Sequence, residues 1–126
     1  MGNPVDIVNV AHLYGQTDIT SSLGTTSTEL MAAVPTDYVH KVNTIIVANI
    51  DGTNNCDVTM WIAYDTLEVL IAKTITVPAD SSLSLIDTPI YINYNASGVG
   101  NRIMGLAQNA SDLDVIISYE RITDVA

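Results

Sequence analysis

One cysteine, two histidines and four basic residues in a chain of 126 leave most familiar site chemistry without its raw material. Cys56 alone can form neither an internal disulfide nor a cysteine-rich metal site, so stability has to come from packing and association. Lys41, Lys73, Arg102 and Arg121 stand against fourteen acids, for a net charge of −10. That balance repels phosphate backbones and anionic membrane surfaces, so no nucleic-acid partner and no membrane partner are expected. No apolar run reaches the roughly 18 residues that span a bilayer. His12 and His40 lack neighbouring metal ligands at useful spacing, and no serine or cysteine stands in a nucleophile elbow. The sequence therefore predicts no enzyme: no catalytic residues, no metal and no cofactor. Met1-Gly2-Asn3-Pro4-Val5-Asp6 has neither the basic region nor the apolar stretch of a signal peptide, which points to synthesis in a cytoplasm. Helical periodicity is missing as well, since no window keeps apolar residues at helical spacing for three turns.

What the chain does have is strand chemistry. It is 48% apolar and only 14% charged, a composition that suits a packed domain. Valine, isoleucine, threonine and tyrosine dominate it. Cys56, Val58, Met60, Ile62 and Tyr64 alternate with Asp57, Thr59, Trp61 and Ala63, the two-residue period of a strand with one face in a core. Leu67 to Val77 alternates in the same way. Val42 to Ile50 reads as the strand before Cys56, and Asp51-Gly52-Thr53-Asn54-Asn55 reads as a hairpin turn using positive-φ residues. Ser82 to Ile86 and Ile90 to Tyr94 are short strands divided by Asp87-Thr88-Pro89, because proline cannot donate to a central ladder. Arg102 to Gln108 and Leu113 to Ile122 follow, joined by Asn109-Ala110-Ser111-Asp112. With Val5 to Leu13 and Glu29 to Val34, the pattern predicts an all-β fold, an antiparallel Greek-key β-sandwich or jelly roll of about eight strands. Residues 1–26 form an N-terminal arm, or a first strand plus connector, and residues 27–126 form the sandwich.

Local clusters that imitate sites are better read as structure. Asp51 to Asp57 faintly resembles a calcium loop, but glycine is misplaced and Ile62 sits where the bidentate glutamate belongs. The carboxylate pairs Asp112/Asp114 and Asp51/Asp57 flank turns, where acids are solvated and discourage edge association. Cys56 begins a strand on its apolar face and reads as a buried thiol. Trp61 and six tyrosines could make a sugar platform, although core and interface roles account for such rings more often.

Three strands are apolar on both faces: Ile45-Ile46-Val47, Val69-Leu70-Ile71-Ala72 and Val115-Ile116-Ile117. An isolated sandwich buries one face of each sheet, so either loops or the N-terminal segment cover the others, or neighbouring subunits do. The latter reading makes the chain a homo-oligomer or a component of a larger assembly. Its candidate contact residues are Val5, Ile7, Val8, Val10 and Leu13, which can add as a strand to a neighbour's sheet, together with Trp61.

The run from Val42 to Thr59, VNTIIVANIDGTNNCDVT, resembles a phrase found in small virion proteins of tailed bacteriophages, particularly those of cyanobacteria and marine bacteria. The order that follows is similar too: Ile71 to Ala79, Ser82 to Leu85, Pro89 to Ile92 and Val115 to Glu120. The resemblance covers roughly Val42 to Ile122. It implies a β-sandwich structural protein of the virion, with a capsid decoration (cement) protein on the head surface as the leading role. Its partners would be the major capsid protein or other virion proteins. A tail, neck or fibre-adaptor protein is the alternative and a carbohydrate-binding module the third. Cys56 and Met60-Trp61 depart from the phage pattern, where smaller or more polar residues are the rule. The stretch Asn95 to Asn101 departs from it as well, in place of a more charged turn. The resemblance carries no catalytic motif.

Overall fold

A computed structural model describes residues 10–64, 66–94 and 100–124. Nine strands occur among them and no helix: β1 (Val10–Thr20), β2 (Thr28–Met31), β3 (Tyr38–Asn49), β4 (Cys56–Tyr64), β5 (Leu67–Val77), β6 (Ser82–Ser84), β7 (Ile90–Asn93), β8 (Arg102–Ala107) and β9 (Leu113–Asp124). They form two antiparallel sheets, sheet A in the order β1-β9-β3-β6, with β7 also on β3, and sheet B in the order β2-β8-β4-β5. β7 pairs with Val39 to Val42 and β6 with Ile46 to Ala48. The two short strands therefore lie end to end along β3 as one edge strand, interrupted at Asp87-Thr88-Pro89 as proline requires. Counted as one, they give eight strands in the orders 1-8-3-6 and 2-7-4-5. This is jelly-roll connectivity, in which successive strands alternate between facing sheets except from β4 to β5.

That alternation corrects two expectations. β3 and β4 do not form a hairpin: β3 pairs with β9, β6 and β7, whereas β4 pairs with β5 and β8. β8 and β9 likewise lie in different sheets. A two-residue hairpin needs central residues at positive φ, yet none of Asp51 to Asn55 adopts one. Instead Asp51 Oδ1 accepts the backbone N–H groups of Thr53 (2.8 Å) and Asn54 (3.2 Å). This Asx-type turn bends the chain from one sheet to the other. The close return comes one strand later, where β4 turns back into β5, Tyr64 opposite Leu67.

The first strand also differs from expectation. Among the described residues it runs Val10–Thr20, overlapping the expected Val5 to Leu13 and continuing beyond it, and it pairs with β9 from Val10–Asp124 to Thr20–Val115. Gly15 to Thr20, read as connector, is thus strand. The segment resembles a linker because Gly15, Gln16 and Thr17 are exposed on a sheet edge, where small and polar residues are tolerated. Residues 1–9 lie outside the described residues.

The core lies between the sheets. From sheet A it takes Val42, Ile45, Val47, Val115, Ile117 and Tyr119, and from sheet B Cys56, Val58, Met60, Val77, Ile103 and Ala107. Leu23, Leu30, Met31 and Val34 close one side. Gly105 is small for a reason: a Cβ there would stand 2.6 Å from Leu30 Cδ1 and 3.0 Å from the Thr59 carbonyl oxygen. Urea unfolding should show Ile117→Ala losing about 2–5 kcal/mol through its cavity. Gly105→Ala should lose about 1–3 kcal/mol through overpacking. The exposed Ile19→Ala should stay within about 0.5 kcal/mol.

Candidate functional site

Strand alternation distributes the apolar residues unequally over the two edges of the sandwich. β5 is the last strand of sheet B, and its burial pattern departs from a half-buried strand: Leu67 is 62% exposed, Val69 and Leu70 52% each, and Ile75 is exposed too. Tyr64, opposite Leu67, extends the strip. At the other edge of the sandwich β1 and β9 present Leu13, Tyr14, Ile19 and Ile116, Ile19 being 72% exposed and directly opposite Ile116. Two of the three double-faced strands thus leave their second face open, through Leu70 and Ile116, while Ile46 is half-buried. No loop among the described residues covers either strip.

The predicted contact residues are divided by this arrangement. Leu13 is exposed and belongs to the β1 strip. Val10 pairs through its backbone with Asp124. Val5, Ile7 and Val8 lie outside the described residues. Trp61 is only 7% exposed. It stands outside the inter-sheet core cluster, between its register partners Leu70 on β5 and Met104 on β8. Its side chain is largely covered, and the exposed apolar residue at this place is Leu70. A depression of about 220 Å³ lined by Trp61, Ala63, Leu67, Glu68, Arg102 and Met104 lies over the Trp61 side chain. The sequence signal that could have identified the β5 strip was the run Val69-Leu70-Ile71-Ala72. What it lacked was the position of that run on an edge.

A polar cluster occupies the inner side of sheet A. His40 is fully buried and faces Arg121 across the β3–β9 ladder. The Arg121 Nε–H donates to His40 Nε2 at 3.0 Å, so the hydrogen of the neutral ring resides on Nδ1. That atom is buried with no partner among the described residues. The imidazole lies 4.6 Å from the Tyr119 ring, and Arg121 stands 5.7 Å over Tyr38. Tyr119 Oη donates to Asp18 Oδ2 at 3.0 Å, and the same oxygen accepts the Ala32 N–H at 3.0 Å. Asp18 therefore ties β1 both to β9 and to the segment after β2. Burial and the hydrogen bond to Asp18 push Tyr119 up to about 12, and burial beside the positive Arg121 pushes His40 down to about 4. These bonds tie β1, β3 and β9 together on the inner side of sheet A.

The other sequence features are placed as follows. Cys56 is buried. Asp51 is held below the usual carboxylate range by the N–H groups of Thr53 and Asn54, which is what a turn cap does. Among the described residues no three His, Cys, Asp or Glu side chains are grouped to hold a metal ion. Among known proteins, no family model matches the chain and no curated protein is similar to it.

His40 sets a pH dependence. Its folded-state value lies below the ordinary 6.5, so between the two the unfolded chain binds the extra proton. Its contribution to stability is complete above pH 6.5 and is lost as the pH falls towards 4, about 3 kcal/mol in all. Urea unfolding at pH 7, 5.5 and 4.5 should show that decline, and His40→Phe should show a slope shallower by that amount.

Proposed function

We propose that the chain is a structural subunit of a tailed-phage virion, decorating the capsid surface and bridging the shell proteins beneath it. The observation that carries this reading is the pair of apolar strips on opposite edges of one small sandwich. A ligand-binding domain needs one concave site, whereas a subunit set between neighbours needs contact surfaces on two sides. The resemblance of Val42 to Thr59 and of the later strand phrases to phage virion proteins supplies the setting. The major capsid protein is the expected partner. Repetition of the shell makes modest affinity per contact sufficient, because engaging one site raises the effective concentration at the next. A position in the tail or neck uses the same surfaces, with a ring of subunits in place of a shell.

Copy number separates these positions. Quantitative mass spectrometry of purified particles should find this chain in hundreds of copies, in a fixed ratio to the major capsid protein, and purified protein should bind undecorated heads. A count of tens or fewer places it in the tail or neck. Absence from particles overturns the virion reading.

A further inference from the structure

The geometry points to the β5 edge as a self-complementary surface that a second copy of this chain covers, the two β5 strands running antiparallel about a two-fold axis near Leu70 and Ile71. The argument rests on where β5 places its only two charges. Glu68 lies opposite Ala63, on the outer face of sheet B. An irregularity follows, because Trp61 pairs with Leu70 while the adjacent Met60 pairs with Ala72, leaving Ile71 as an extra residue. Residues five apart on a regular strand face opposite sides. The extra residue restores the match: Ala72 pairs with Met60 and is buried, so Lys73, the next residue along, takes the same outer face as Ala63. Along that face β5 thus reads acid, apolar, base: Glu68, Leu70, Lys73.

Both charges are exposed, and among the described residues neither is in an ion pair, since the two salt bridges engage Lys41 with Glu120 and Arg102 with Glu29. A two-fold axis that brings Leu70 against Ile71 of the second copy sets Glu68 beside the other copy's Lys73, and the reverse contact follows by symmetry. This is the isologous pattern in which residue i meets j and j meets i. Val69 then lies beside Ala72, and Leu67 beside Thr74. The arrangement also answers the charge problem. With a net charge of −10, two copies repel one another over most of their surface, and here alone on β5 an acid and a base meet in pairs.

Leu67 to Thr74 extend about 26 Å, and a strip of that length and about 20 Å wide is about 530 Å² per partner, the low end that transient contacts occupy. Thr74 holds a left-handed φ of 46° and donates its N–H to Thr59 Oγ1. That bond holds the end of the paired stretch against β4, and because the contact is isologous it uses the same edge of both copies and closes at two.

This inference is independent of the virion reading and is tested on the isolated full chain by sedimentation equilibrium. The wild type should associate as a dimer at tens of micromolar, the range of transient interfaces. Glu68→Lys alone and Lys73→Glu alone each set like charges together at both ends, and each should weaken association at least tenfold. An equimolar mixture of the two single variants sets opposite charges together again and should recover association. Recovery also shows that both variants are folded. A monomeric wild type at about 100 µM, single variants that associate as the wild type does, or a mixture that stays monomeric overturns the proposal.

Discussion

The buried side-chain amide of Asn49 joins the two sheets at the end of the sandwich where the chain repeatedly crosses between them. Asn49 is the last residue of β3, in sheet A. Its Nδ2 donates to the carbonyl oxygens of Val77 (2.9 Å), at the end of β5 in sheet B, and of Asn54 (3.0 Å), in the crossing turn. Its Oδ1 accepts the Asp51 N–H at 2.9 Å. Around it the backbone is tied in the same manner: Asn49 N–H to Ser81 O, Ile50 N–H to Asp112 O, Asp80 N–H to Asp51 O and Gln108 N–H to Asp57 O. Three connections, after β3, β5 and β8, meet there. An apolar residue at position 49 would pack, but would leave buried carbonyl groups without donors.

The surfaces proposed for contact follow from that corner. Fixing Val77 against β3 fixes the end of β5, and β4 holds the rest of the strand along its other side. β5 is therefore an edge strand with a determined position, which a rigid contact surface needs. The Asp18–Tyr119 and His40–Arg121 bonds hold β1 and the inner side of sheet A in the same way. Polar networks thus anchor both edges of the sandwich, while the apolar core fills the space between. The cost is an imidazole Nδ1 left without a partner among the described residues, which the neutral state of His40 keeps small.

The sequence was legible where one strand could be read alone. Cys56–Tyr64 and Leu67–Val77 have the bounds that alternation predicts, and Pro89 marks the break between β6 and β7. The all-β class and two-sheet architecture followed from these local patterns. Pairing was not legible, because Asp51 to Asn55 has the composition of a hairpin and the geometry of an inter-sheet arch. The difference lies in Asn49, whose partners Asn54 and Val77 are 5 and 28 residues away. Trp61 looked like an exposed aromatic because alternation put it on the outer face, and only the neighbouring strands reveal that Leu70 and Met104 flank it. The excess of apolar residues on Val69-Leu70-Ile71-Ala72 did carry information about the surface, while the His40–Arg121 contact, 81 residues apart, left no local trace.

If the Asn49 amide locks the jelly-roll corner, its removal has to cost more than a surface change of equal size. The direct measurement is the unfolding free energy of Asn49→Ala and of the isosteric Asn49→Asp at neutral pH, beside the exposed control Asn43→Ala. Both Asn49 variants should lose about 2–4 kcal/mol, the worth of several buried hydrogen bonds and the groups left unpaired, while the control stays within about 0.5 kcal/mol. A loss below about 0.5 kcal/mol for Asn49→Asp, which keeps the shape and removes the donor, would contradict the account.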